Sequence, residues 1–208
     1  MNLYILKLDY DYIENNLDKI VAKVSVEKRE LFLRNLDRKK GFSILFSNLL
    51  LKYCIKQELN LKEFNLEYNE YGKPYLKDKK DFFFNISHSK EYIILVSDNK
   101  DLGIDIEYIK NRNLDIMERI FTIEEQEYIL MQEDKIKAFY EIWTLKESYI
   151  KALGLGLYKD LKSFSVTPLI KSLGEYNFKN FYIENYVISI CSLDKINENI
   201  IEVNIEHL

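Results

Sequence analysis

The stretch FYEIWTLKESYIKALGLGL, residues 139–157, constrains the fold more than any other part of the chain. Stepped at 100° per residue, Phe139, Ile142, Trp143, Ile150 and Leu153 fall in one stripe about 100° wide, which marks a helix laid against a core. Lys146 falls inside that stripe, where an ammonium is costly to bury unless it is paired. Glu147 and Lys151 lie on the flank of the stripe, in the favourable Glu-to-Lys i,i+4 order of a surface pair. The pattern predicts a helix over 134–153, ended by the flexible Gly154–Leu157 segment. Patterning alone lets Lys146 snorkel to solvent along its own stem.

The segments around this helix alternate between strand and helix signals. Strands are expected at Leu3–Leu8, in DFFFNIS, EYIILVS and LGIDIEYI, and later at Phe164–Val166, Tyr186–Leu193 and Ile200–Ile205. Helical patterns run through NLDKIVAKVS, through SVEKRELFLRNL with Ser25 as N-cap, and through SILFSNLLLKYCIKQEL. Gly72–Pro74 reads as a turn between two extended stretches. Thr122 with Glu125 three residues on is a capping box opening another helix. The expected fold class is α+β, as two similar α+β halves of about 100 residues. Residues 1–100 form the first half and 101–208 the second, with the boundary near Asp98–Asp101 and a site in the crevice between them.

Composition removes several function classes. No run of about 18 apolar residues is present to span a bilayer. The start, MNLYILKLDYDY, lacks the basic region and cleavage site of a signal peptide, so a soluble, cytoplasmic protein is expected. The net charge of −4 disfavours a nucleic-acid partner. Lys28, Arg29, Arg34, Arg38, Lys39 and Lys40 nevertheless cluster, either as a solvated helix face or as a local anion site. The two cysteines, Cys54 and Cys191, sit in apolar surroundings without zinc-ligand spacing.

Three stretches can carry chemistry. In GIDIE, alternation places Asp105 and Glu107 on one strand face, about 6.5–7 Å apart. Such a pair is either a wet acidic face or the oxygen-ligand set of a hard cation such as magnesium or manganese. In FNISHS, the cluster of Asn85, Ser87, His88 and Ser89 suits a phosphate, or is an ordinary turn. Ser87 and His88 make a poor hydrolase dyad, because strand neighbours point to opposite faces. Glu147 and Lys151 complete the set.

Taken in order, YGKPYL, FNISHS, GIDIE, IFTIEEQEYI and WTLKESYIKALGLGL closely resemble the surfactin-synthetase type of 4'-phosphopantetheinyl transferase over roughly residues 25–170. The resemblance implies a monomer of two pseudo-twofold-related halves with coenzyme A bound between them. It implies transfer of the phosphopantetheine arm to a serine of an apo acyl or peptidyl carrier protein, with no nucleic acid or membrane involved. It implies that Asp105, Glu107 and Glu147 bind magnesium, that Glu147 deprotonates the serine, and that Lys151 contacts the pyrophosphate. It further implies that Lys28 and His88 face the 3'-phosphate and that Lys73, Pro74 and Ser87 line the nucleotide. Lys146 belongs to the same motif, which assigns it no role, and its position in the stripe leads us to expect a carboxylate partner at the interface of the halves.

The chain departs from the family pattern at Leu31 and Ser43, where basic residues are expected. Arg34, Lys39 or Lys40 substitutes, or the 3'-phosphate is held more loosely. Two alternatives remain, a non-catalytic relative that binds coenzyme A or a carrier protein, and a metal-dependent phosphodiesterase of unrelated fold. The intact Asp105, Glu107, Glu147 and Lys151 argue against the first, and the motif order against the second.

Overall fold

The computed structural model describes residues 1–156, 159–170 and 172–208, so Leu157, the last residue of the opening stretch, lies outside the described residues. The chain runs β1 (Asn2–Lys7), α1 (Tyr10–Asn15), α2 (Leu17–Ala22), α3 (Val26–Arg34), α4 (Arg38–Leu59), β2 (Leu66–Tyr68), β3 (Pro74–Leu76), β4 (Phe83–Ser89), β5 (Tyr92–Asp98) and β6 (Leu102–Tyr108). It continues through α5 (Met117–Ile120), α6 (Ile123–Met131), α7 (Lys135–Leu153), β7 (Ser172–Leu173), β8 (Tyr176–Ile183), β9 (Tyr186–Ser192) and β10 (Asn199–Val203). The architecture is α+β. None of its described helices is long and apolar enough to cross a membrane.

Two four-stranded sheets organise it, one ordered β10-β1-β5-β4 and the other β6-β9-β8-β7, beside a small β2-β3 hairpin. β10 runs parallel to β1, and the other pairings are antiparallel. One face of the first sheet, with Tyr4, Leu6, Ile93 and Leu95, packs on Leu45, Phe46, Leu49 and Leu50 of α4. Its other face, with Leu3, Ile5, Ile94 and Val96, shares a core with Ile104, Ile106, Ile188 and Ile190 of the second sheet. This explains the unbroken apolar run of β5. A strand covered on both faces has no polar side to alternate with. β9 is likewise buried along its whole length, with α7 against its outer face.

The local signals act as expected at several ends. Ser25 caps α3, and Thr122 and Glu125 close a reciprocal capping box on α6. Asp37 accepts from the amides of Lys39 and Lys40, so α4 starts at Arg38, earlier than its apolar pattern suggests.

Three expectations change. The helical pattern NLDKIVAKVS forms the short helix α2, and a further short helix that it did not include, α1, precedes it and meets it at Asn16. Phe164–Val166 is not a strand. Its backbone is satisfied by side chains, because the Phe164 carbonyl accepts from Lys146 Nζ and the Val166 amide donates to Glu125 Oε1. Finally, β8 is a strand that alternation did not reveal, since Asn177, Lys179 and Asn180 interrupt its apolar residues.

Candidate functional site

The site forms where β4 at the edge of one sheet meets β6 at the edge of the other. The two strands join through side chains of alternate β4 residues. Asn85 Oδ1 accepts from the Ile104 amide at 2.9 Å, and Ser89 Oγ accepts from the Tyr108 amide at 3.1 Å. Ser87, between them, donates to Asp105 Oδ1 at 2.8 Å. Asn85, Ser87 and Ser89 share one face because strand residues alternate. His88 therefore turns away and is exposed.

α7 crosses β6 at Gly103. A Cβ there would lie 2.1 Å from the Ser148 carbonyl oxygen and 2.4 Å from the Ala152 nitrogen, so no side chain fits. This contact brings Lys151 onto β6. Its Nζ donates to Asp105 Oδ1 at 2.6 Å, to Ser87 Oγ at 2.9 Å and to the Ile104 carbonyl at 3.2 Å. The surface pair expected between Glu147 and Lys151 is thus replaced by a partly buried pair between Lys151 and Asp105. The i,i+4 partner loses to a cluster of three oxygens on the adjacent strands.

Glu107 and Glu147 complete the acidic group. Burial pushes the Glu147 carboxyl above its ordinary range, and the Asp105 and Glu107 charges push it the same way, against Lys151. Glu107 is also raised, first by burial and then by Asp105, while Ser89, Lys151 and the Trp143 indole oppose the shift. Raised carboxyl values mean that the folded state disfavours the charged form. Their contribution to stability is full in acid and is lost as pH rises through the raised values. Glu147→Gln is therefore expected to raise the melting temperature of the metal-free protein at neutral pH. The gain should shrink towards acid pH. Thermal melts in chelator across pH test this, and an unchanged or lower melting temperature at neutral pH would contradict it.

Asp105 is almost fully buried, and its Oδ2 has no hydrogen-bond partner. A buried carboxylate oxygen left this way costs free energy unless something binds it. Among the described residues, no three Asp, Glu, His or Cys side chains are gathered into a ready ligand set, Lys151 holding one oxygen of Asp105. The orphaned oxygen and the all-carboxylate donors fit a hard divalent cation.

The remaining candidates lie around this centre. Lys73 Nζ donates to the Ala152 carbonyl at 2.9 Å, the Leu102 carbonyl at 3.2 Å and Asp101 Oδ1 at 3.4 Å. Asn69 Nδ2 donates to the Gly154 carbonyl at 2.8 Å. The β2–β3 hairpin thereby grips the C-terminal end of α7, where carbonyls lack helical partners and a cation is favoured. Burial lowers the Lys73 pKa, with Asp101 opposing. Pro74 and Lys73 also line a small pocket with Tyr75 and Phe82–Phe84.

Loss of hydration around the ring and then the Lys151 charge lower the His88 pKa, with Asp105 opposing. Lys28 lines a different cleft, with Asn48, Lys52 and Lys62. Leu31 is exposed, and Ser43 is turned inward to the Lys39 carbonyl. Of the basic residues nearby, Arg34 pairs with Glu30, and Lys39 sits over the Tyr10 ring.

Lys146 is completely buried. Its ammonium meets Glu125 Oε1 at 2.5 Å and the Phe164 carbonyl at 2.7 Å. The partner carboxylate belongs to the same half, so the pair does not lie at the interface expected for it. Glu125 also completes the capping box, a role that gave no sign of this second one. Gly103 positions the site without having been singled out for it, whereas Asn85 and Ser89, read as part of a polar cluster suited to a phosphate, instead tie β4 to the β6 backbone.

Comparison with known proteins agrees in both parts of the chain. A family model for the N-terminal region of 4'-phosphopantetheinyl transferases matches residues 12–100, and one for the 4'-phosphopantetheinyl transferase superfamily matches residues 101–191. The chain is 38% identical over 163 residues to 4'-phosphopantetheinyl transferase gsp of Aneurinibacillus migulanus, covering 73% of this chain and 67% of that protein. It is 33% identical over 170 residues to 4'-phosphopantetheinyl transferase Sfp of Bacillus subtilis, covering 80% and 76%. An L-aminoadipate-semialdehyde dehydrogenase-phosphopantetheinyl transferase of Candida glabrata is 27% identical over 207 residues, covering 88% and 80%.

Proposed function

The chain belongs to the 4'-phosphopantetheinyl transferase family, and from that premise we propose that it moves the phosphopantetheine arm of coenzyme A onto a serine of an apo acyl or peptidyl carrier protein. Asp105, Glu107 and Glu147 would hold a divalent cation, magnesium or manganese. The single observation that carries the reading is the meeting of a partnerless Asp105 oxygen, two carboxyls raised by burial, and the Lys151 ammonium, all at the β4–β6 joint.

Coenzyme A lies in the crevice between residues 1–100 and 101–208. Lys73, Pro74 and Ser87 face the nucleotide, and Lys28 and His88 face its 3'-phosphate. A cation held by Asp105, Glu107 and Glu147 would neutralise charge on the pyrophosphate. The serine Oγ forms a bond to the pantetheine-side phosphorus, and the bond from that phosphorus to the bridging oxygen breaks, releasing adenosine 3',5'-bisphosphate. Glu147 takes the serine proton, directly or through water. Lys151 stabilises the charge that grows on the departing phosphate oxygen. The protein works as a cytoplasmic monomer.

The test is to incubate the protein with coenzyme A, magnesium and an apo carrier protein, and to weigh the carrier. A mass gain of one phosphopantetheine arm is expected. Glu147→Gln should slow it by at least about 10²-fold, the scale of general-base catalysis. Near-normal turnover would remove Glu147 from proton transfer. Binding of coenzyme A without any gain by the wild type would favour the non-catalytic reading.

A further inference from the structure

Lys151 stands where a metal site needs an anion to be free. Its ammonium is bound to three oxygens, Asp105 Oδ1, Ser87 Oγ and the Ile104 carbonyl, as a small oxygen-coordinated cation would be. The Asp105 side chain is 8% exposed and the Lys151 side chain 27%. The carboxylate is therefore fixed in place, whereas the lysine has a route to solvent on a flexible four-carbon stem. Asp105 Oδ2 remains buried and without a partner, so the ammonium satisfies only part of the carboxylate. Glu107 and Glu147 feel the same Asp105 charge.

We propose that Lys151 is a resident substitute for the divalent cation, holding Asp105 in the metal-free protein and leaving it when the cation binds. The proposal rests on the reading that Asp105, Glu107 and Glu147 bind that cation. A divalent ion and an ammonium on one carboxylate repel each other, and a buried site screens that repulsion poorly. Cation binding is thus an exchange, in which the positive charge of Lys151 has to find another anion. The pyrophosphate of the donor is such an anion. Donor and cation consequently help each other bind, and in the absence of donor the site resists the cation. The same displacement delivers the ammonium to the phosphates at the moment they arrive, so one lysine guards the empty site and serves the filled one.

The experiment measures Mn2+ binding to the donor-free protein by electron paramagnetic resonance. Lys151→Met keeps most of the stem and removes the charge. It is expected to tighten Mn2+ binding by about tenfold, within the usual range of coupling between two ligands. Lys151→Arg keeps the charge and should bind Mn2+ as weakly as the wild type. Unchanged or weaker binding by Lys151→Met overturns the proposal.

A second measurement uses the wild type alone and does not depend on the variants folding. Lysine acylation is read by mass spectrometry with and without Mg2+. Lys151 should become more reactive as Mg2+ is raised to concentrations that fill the donor-free site, and unchanged protection at saturation overturns the proposal. Absence of Mn2+ binding by the wild type even with coenzyme A present would instead overturn the metal assignment itself.

Discussion

Gly103→Ala is expected to reduce phosphopantetheinyl transfer by at least about 10²-fold, the cost of moving catalytic groups by 1 Å. The added Cβ meets a carbonyl oxygen at 2.1 Å and a backbone nitrogen at 2.4 Å, and both belong to the C-terminal turns of α7. Neither atom can rotate away as a side chain can. Relief requires β6 and α7 to separate by about 1 Å, the distance from these contacts to a tolerable one. Asp105 and Glu107 travel with β6, whereas Glu147 and Lys151 travel with α7. Separation therefore opens the site along the line on which its two sides meet. The mass-gain assay reports the loss, and thermal melts report how much of the fold is lost with it. Transfer at a near wild-type rate would show that the close approach is incidental to the site.

Lys146→Met is expected to cost about 3–5 kcal/mol, the usual penalty for leaving one member of a buried ion pair unpaired. In a chain of this size that lowers the melting temperature by roughly 10 °C. Both side chains are fully inaccessible, so water cannot take the place of the missing ammonium. The damage extends beyond the pair. Glu125 holds the amides of Thr122 and Val166, and Lys146 holds the carbonyl of Phe164. Losing the lysine loosens the segment after α7 as well as the packing of α6. Adding Glu125→Gln removes the unpaired charge while keeping an acceptor for those amides. The double variant should then melt above Lys146→Met alone, a non-additivity expected of contacting residues. A melting temperature within 2 °C of wild type for the single variant would show that the ion pair contributes little.

Local features of this fold were legible in the sequence. Caps at Ser25 and Thr122, the long helix over 135–153 and the acidic strand GIDIE each depend on neighbours within a few residues. Periodicity also placed Lys146 inside the core. It could not say with what, because Glu125 lies 21 residues away on another helix. Lys151 repeats the lesson at the site. Helical spacing offered it Glu147, but sheet packing offered it three oxygens from β4 and β6, and the longer-range arrangement prevailed. β8 was hidden for a related reason, since its half-exposed faces tolerate the asparagines and the lysine that break its pattern.

The pairing of β10 with β1 bears on how the chain comes to its final form. Asn2 and Asn199 are bonded partners 197 positions apart. The first sheet thus joins a strand at residues 2–7 to one at residues 199–203. During synthesis one edge of β1 stays open until residues 199–203 have emerged. Such a long closure slows folding, and an unpaired strand edge is exposed to pairing with other chains meanwhile. Pairing strands so far apart in sequence thus means that the first sheet is complete only once residues 199–203 are present, and it is not an independent early product.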